Sequence, residues 1–149
     1  GNFTAWQEHE LPMTRITGGW ELAYVLRPGN YEYKFIVDGT PVTDLSNPYT
    51  TGTGEGKNSF VAIRPNCRFR LEGESDASMV VVTGSFNNWN TLEYRMVLRD
   101  GIWTFPMYLS PGKYIYKFIV DGKWILDPAN SLWEENQYGT GNSVLWVEQ

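Results

Sequence analysis

The segment PGNYEYKFIVDG, Pro28 to Gly39, returns 83 residues later as PGKYIYKFIVDG, Pro111 to Gly122, with two differences. At the same offset Trp6 falls on Trp89, Met13 on Met96, Gly18 on Gly101, Trp20 on Trp103 and Leu26 on Leu109, with no gap. Asp44 and Asn47 fall on Asp127 and Asn130, and Asn58-Ser59 meets Asn142-Ser143 after one residue of drift. Such self-similarity is a tandem duplication, so one fold is expected twice in the 149 residues, over 1–63 and 64–149. The second copy opens with two strand-like runs, CRFRLEG and SMVVVTG, that have no counterpart in the first. The first copy is therefore short of its initial strands. Either it is truncated, or its open edge takes a strand from elsewhere by strand exchange with another chain.

Strand signals recur about every ten residues, separated by Gly, Pro, Asn and Asp clusters, as in antiparallel sandwiches and barrels. Within Tyr114 to Val120, Tyr114, Tyr116 and Phe118 share one face and Ile115, Lys117 and Ile119 the other. Asp100-Gly101, Pro111-Gly112 and Asp121-Gly122 supply turns in which glycine takes positive φ. No segment keeps a 3.6-residue apolar period, so the chain reads as all-β.

Hydrophobic residues make up 42% and charged residues 19%, enough apolar surface to bury a core. The net charge of −5 argues against nucleic acid as a partner. No run of eighteen apolar residues predicts a membrane span, and no leader pattern opens the sequence. Cys67 is alone, so it makes no internal disulfide or cysteine-based metal site and reads as a half-buried structural thiol. No metal spacing and no cofactor motif is present.

Aromatic residues reach 15%, and their placement separates core from surface. Trp20 in GWELAYVL and Trp103 in IWTFPMYL sit at strand positions and are expected to pack inside; Trp146 in SVLWVE reads as structural, half exposed if on an edge. Trp89 instead ends the turn GSFNNW, and Trp124 follows the Asp121-Gly122 turn. Each could wrap back onto the core, or offer an indole to the apolar face of a glucose ring. Trp133, in the loop before YGTGNS, is a candidate extra platform. Lys117 stands alone between Ile115 and Ile119, where a cation needs a partner or a ligand oxygen. Thr140 and Asn142 lie in the glycine-rich loop YGTGNS and can donate and accept hydrogen bonds.

GSFNNW, YKFIVDGKWILDP and QYGTGNS, in that order, resemble the family-48 carbohydrate-binding modules. That family includes the glycogen-binding domain of the AMP-activated kinase β-subunit and the N-terminal modules of isoamylases and branching enzymes. The resemblance covers essentially the whole second copy. It implies tandem immunoglobulin-like (early set) antiparallel β-sandwiches, the first lacking its initial strands. It also implies non-catalytic binding of α-1,4-linked glucan: glycogen, starch or maltooligosaccharide. Trp89 and Trp124 would stack, Lys117 and Asn142 would bond sugar hydroxyls, and Thr140 matches the family's loop threonine. Tyr138 stands where kinase-type members carry leucine, and offers a ring in its place. In the first copy Trp6, Lys34 and Asn58 match Trp89, Lys117 and Asn142. However, Thr40-Pro41 replaces Lys123-Trp124, which leaves at most a weaker site.

No catalytic residues are expected. Asp121, Asp127, Glu134 and Glu135 are turn or loop carboxylates outside any apolar pocket pattern, and His9 has no nucleophile beside it. The competing reading is a structural or docking sandwich that packs against an adjacent catalytic domain without binding sugar.

Overall fold

The computed structural model describes all 149 residues and is built of short antiparallel strands. The first copy contributes β1 (Thr14–Ile16), β2 (Gly19–Glu21), β3 (Gly29–Tyr33), β4 (Phe35–Val37), β5 (Thr40–Val42), β6 (Thr50–Thr51) and β7 (Asn58–Ile63). The second contributes β8 (Cys67–Glu72), β9 (Val80–Gly84), β10 (Tyr94–Arg95), β11 (Val97–Arg99) and β12 (Ile102–Met107). It continues with β13 (Gly112–Val120), β14 (Lys123–Ile125), β15 (Trp133–Glu135) and β16 (Gly141–Val147). The all-β expectation holds.

One sheet of nine strands runs through both copies in the order β15-β16-β13-β9-β10-β6-β7-β3, with β14 paired to β13. The seam is β10 against β6, where Tyr94 faces Thr51 and the Gly52 amide donates to the Glu93 carbonyl at 3.2 Å. A three-stranded sheet, β11-β12-β8, forms the second layer over the second copy. Between the layers lies a core that includes Phe69, Leu71, Val80, Val82, Phe105 and Phe118, each nearly or wholly excluded from solvent. Alternation puts these side chains inside: on β12, Trp103, Phe105 and Met107 are buried while Ile102, Thr104 and Pro106 are only half-buried.

The first copy gives this core one residue, Phe60, whose ring lies 4.7 Å from that of Phe105 and 5.7 Å from that of Tyr94. Two asparagine amides, one from each copy, close the end of β12. Asn30 donates to the Tyr108 carbonyl and accepts from its amide, both at 2.8 Å, and Asn66 does the same for Leu109. Each amide stands in for a missing strand neighbour at the end of β12.

Trp20 corrects a sequence expectation. Its counterpart Trp103 is buried and donates from Nε1 to the Glu74 carbonyl at 2.8 Å. Trp20 is 60% exposed on the isolated hairpin β1–β2. The reason is the second layer: β12 is paired along its length with β8, and the first copy contains no counterpart of β8.

A polar knot is the same in both copies. The Tyr116 hydroxyl donates to Asp127 at 2.6 Å and accepts from Asn130 at 3.1 Å, and the Asp127 amide donates to Ser143 Oγ at 2.9 Å. Tyr33, Asp44, Asn47 and Ser59 repeat each contact. Asn130 and Asn47 also donate to the carbonyls of Val144 and Phe60, which pins the loop to the last strand of its copy.

Burial raises the Tyr33 phenol to about 12 and raises Tyr116 as well. Burial opposes ionisation of Asp44 too, but hydrogen bonds from Ser46 and Tyr33 outweigh it and hold that carboxyl below its usual range. A phenol with a raised folded pKa keeps its proton longer folded than unfolded. Its stabilisation is complete below pH 10 and is lost as the pH climbs through the folded value. Urea melts should therefore show stability falling above about pH 10. Tyr116→Phe should cost about 1–3 kcal/mol at neutral pH, because Asp127 and Asn130 lose a shared partner.

Candidate functional site

The turn that carries Trp89 is a short 3-10 segment (Ser85–Asn87) followed by two left-handed residues, Asn88 at φ 53° and Trp89 at φ 58°. Asparagine tolerates that region, but a bulky aromatic there is strained, at a cost of about 1–3 kcal/mol. Hydrogen bonds hold it: the Trp89 amide donates to the Gly84 carbonyl at 2.9 Å, and Asn87 Oδ1 accepts from the Gly84 amide at 3.1 Å. Ser85 Oγ accepts from the Ile115 amide at 3.1 Å and ties the turn to β13. The first copy repeats the backbone, with Ala5 at φ 49°, Trp6 at φ 62° and the Trp6 amide on the Gly1 carbonyl at 2.9 Å.

The result is a pair of indoles. Trp89 is half-buried and Trp124 is 45% exposed; their rings lie 6.4 Å apart, tilted by 43°. Trp124 faces Ile119 across β13–β14, so it lies on the outer face of the sheet, opposite the core side of Phe118. Lys117 faces Thr83 on that same outer face. The molecule's two ion pairs, Arg70–Glu72 and Lys113–Glu134, leave Lys117 free for a ligand.

Asn142 lies one step beyond the pair Tyr116–Ser143, on the Lys117 face. The residue that sets it is Asn136, which the sequence reading passed over. Asn136 Nδ2 donates to Thr140 Oγ1 at 2.7 Å and to Asn142 Oδ1 at 3.3 Å, while its Oδ1 accepts from the amides of Tyr138 and Thr140. Asn142 is buried at the base of this loop with its Nδ2 uncommitted, and Tyr138 stands out at 79% exposure beside Gly139 at φ 78°. The signal was available: asparagine ahead of a glycine-rich turn is the usual side-chain cap of such a loop. Trp133, by contrast, faces Ser143 on the opposite side of the sheet and packs over Gly141 and Leu126. It does not join the pair.

The first copy engages the corresponding polar groups within the protein. Lys34 and Asn58 are side by side beyond the Tyr33–Ser59 pair, but Asn58 donates to Glu32 at 3.2 Å and Lys34 to the Glu55 carbonyl at 3.1 Å. Phe60, on the same face where the second copy has Val144, is driven into the core. Trp6 is exposed without a second indole. Cys67 lies apart from both faces, its thiol pushed up to about 11 by burial.

The family described as the glycogen recognition site of AMP-activated protein kinase matches this chain twice, over residues 1–70 and 67–149. Protein PTST homolog 2, chloroplastic, of Arabidopsis thaliana is 41% identical over 58 residues, 39% of this chain and 11% of that protein. Protein FLOURY ENDOSPERM 6, chloroplastic, of Oryza sativa subsp. japonica is 39% identical over 71 residues, 48% of this chain and 13% of its own length. The 5'-AMP-activated protein kinase subunit beta-2 of Homo sapiens is 34% identical over 70 residues, 47% of this chain and 25% of that subunit. The chain therefore spans a quarter or less of these relatives.

Gly84 tests how the turn is built. A Cβ there would collide with the Ile115 carbonyl oxygen and lie 2.9 Å from Tyr116 Cβ, both on β13. Gly84→Ala should cost about 1–3 kcal/mol in chemical denaturation. It should also shift tryptophan emission as Trp89 moves from its partner, whereas Gly56→Ala, in open space without a positive φ, should leave emission unchanged.

Proposed function

Because the chain belongs to the family described as the glycogen recognition site of AMP-activated protein kinase, we propose that its second copy, residues 64–149, binds α-1,4-linked glucan without catalysis. The observation that carries this reading is the paired indoles, held 6.4 Å apart on the face that also carries an unpaired lysine ammonium. A tilted pair suits a curved chain of glucose rings. Each indole covers the apolar face of one ring, while Lys117, Asn142 and Thr140 meet hydroxyls at the rim. Tyr138, projecting from the same loop, adds a ring to the wall. The groups around the indoles are an ammonium, an amide and a hydroxyl rather than facing carboxylates, which suits recognition and not hydrolysis.

Residues 1–63 serve the second copy as a packing partner. Their Lys34 and Asn58 are engaged within the protein, so the weaker site of Trp6, Lys34 and Asn58 contributes little.

A second reading, docking against a neighbouring catalytic domain, draws on a different observation. Ile16, Trp20, Leu22 and Val25 expose apolar surface on the first copy. The outer backbone edge of Phe35–Val37 has no strand where β13 has β9, which favours strand exchange at that edge. Docking and glucan binding use different copies and are compatible.

Affinity electrophoresis in glycogen gels tests the first reading. Wild type should be retarded, and Trp89→Ala and Trp124→Ala should each lose about 1–3 kcal/mol of binding. Trp6→Ala should migrate as wild type. Wild type that migrates alike with and without glycogen, while folded, would leave only the docking reading.

A further inference from the structure

We propose that the glucan surface of the second copy extends along the outer sheet face to a second aromatic position, Trp146, which holds the far end of a longer α-glucan chain. The inference rests on the reading of that face as a glucan site and adds a subsite to it. Trp146, read from the sequence as structural but half exposed if on an edge, lies beyond the reach of β15 and is 61% exposed. In the β13–β16 register it faces Lys113, and Ile115 faces Val144 one step nearer the indole pair. Lys113, Ile115 and Lys117 alternate onto one side of β13, so Trp146 shares the face of Lys117 and Asn142. Four residues separate Lys113 from Lys117, about 13 Å along the strand. A chain of a few glucose units bridges that gap.

The intervening surface is organised rather than bare. The Lys113 ammonium sits 5.9 Å from the Trp146 ring and 2.6 Å from Glu134 Oε2. Glu134 pairs with Asn142 on β15–β16, so the ion pair runs from the Asn142 end of the face to the Trp146 end. It steadies the indole by a cation–π contact and offers both a donor and an acceptor to sugar hydroxyls. Val144, beneath this span, is buried, which leaves an apolar floor under a polar rail.

The first copy is an internal control. There Trp146, Lys113 and Glu134 become Ala62, Asn30 and Thr51. That face is closed against the second copy: Asn30 is bonded to the Tyr108 backbone and Thr51 is buried. The tryptophan and its charged pair occur only where the face is open. An indole so exposed adds little to folding, and its rigid bracing suits a flat, hydroxyl-rimmed ligand ring.

Calorimetric titration of the full chain with maltotriose and with maltodecaose separates the two levels. Trp89→Ala should weaken both sugars. Trp146→Ala should bind maltotriose within about twofold of wild type but maltodecaose about tenfold more weakly, and Trp146→Phe should keep part of that preference. Equal maltodecaose affinity in wild type and Trp146→Ala would overturn the subsite. So would an equal loss for both sugars, which marks a structural role. A wild-type dimer that Trp146→Ala turns into monomer in sedimentation would assign the face to a second copy instead. Wild type that binds neither sugar would refute the underlying glucan reading, and the subsite with it.

Discussion

The nine-residue strand β13 is the element on which both the core and the outer face depend, because its alternation commits every second side chain to each. Tyr116, Phe118 and Val120 point into the core, and the Tyr116 hydroxyl anchors Asp127 and Asn130. Lys113, Ile115 and Lys117 point outward beneath the indoles. A shift of one residue in pairing would exchange the two sets, so the cost of burying Lys113 and Lys117 protects the register. Three strands and the Trp89 turn take their positions from β13. β9 and β16 flank it, β14 folds back on it, and Ser85 bonds its Ile115 amide.

The two copies show how little is needed to send one local structure to different ends. Both keep the tyrosine–aspartate–asparagine–serine knot and the left-handed tryptophan turn. They differ in what covers each face. In the second copy β8 and β12 close the core side and leave the outer face to solvent. In the first, Phe60 in place of valine gives the outer face an aromatic that the neighbouring core accepts, and β6 pairs with β10. Hydrophobic burial of one ring and the Asn30 clamp then cover part of a face that in its twin meets solvent.

Sequence reasoning reached the all-β class and the turn at Trp89, put Lys117 opposite the aromatic face of its strand, and proposed a two-copy organisation from the repeat. Each of those rests on local information: glycine and asparagine in turns, period-two alternation, and a repeated string. It missed where the answer depended on neighbours distant in the chain. Trp20 and Trp103 are equivalent by sequence, yet one is buried and the other 60% exposed, because only β12 has β8 beside it. Trp133 and Trp146 sit among similar residues and face opposite ways, a distinction set by the register of β15 and β16. Asn136 had a turn signature, but its hold on Thr140 and Asn142 appears only once the loop closes.

The sequence by itself determined which side chains could serve: two loop indoles, a lone lysine on an apolar strand, and an amide after a glycine-rich turn. Covalent spacing and backbone preference suffice for that, since both act within a few residues. Only the tertiary structure decided that Trp124, Lys117 and Asn142 share one face of the second copy, while the first-copy lysine and asparagine are bonded within the protein. The physical reason is pairing: a strand's alternation states which residues lie together, but its neighbours decide which of the two sides meets water.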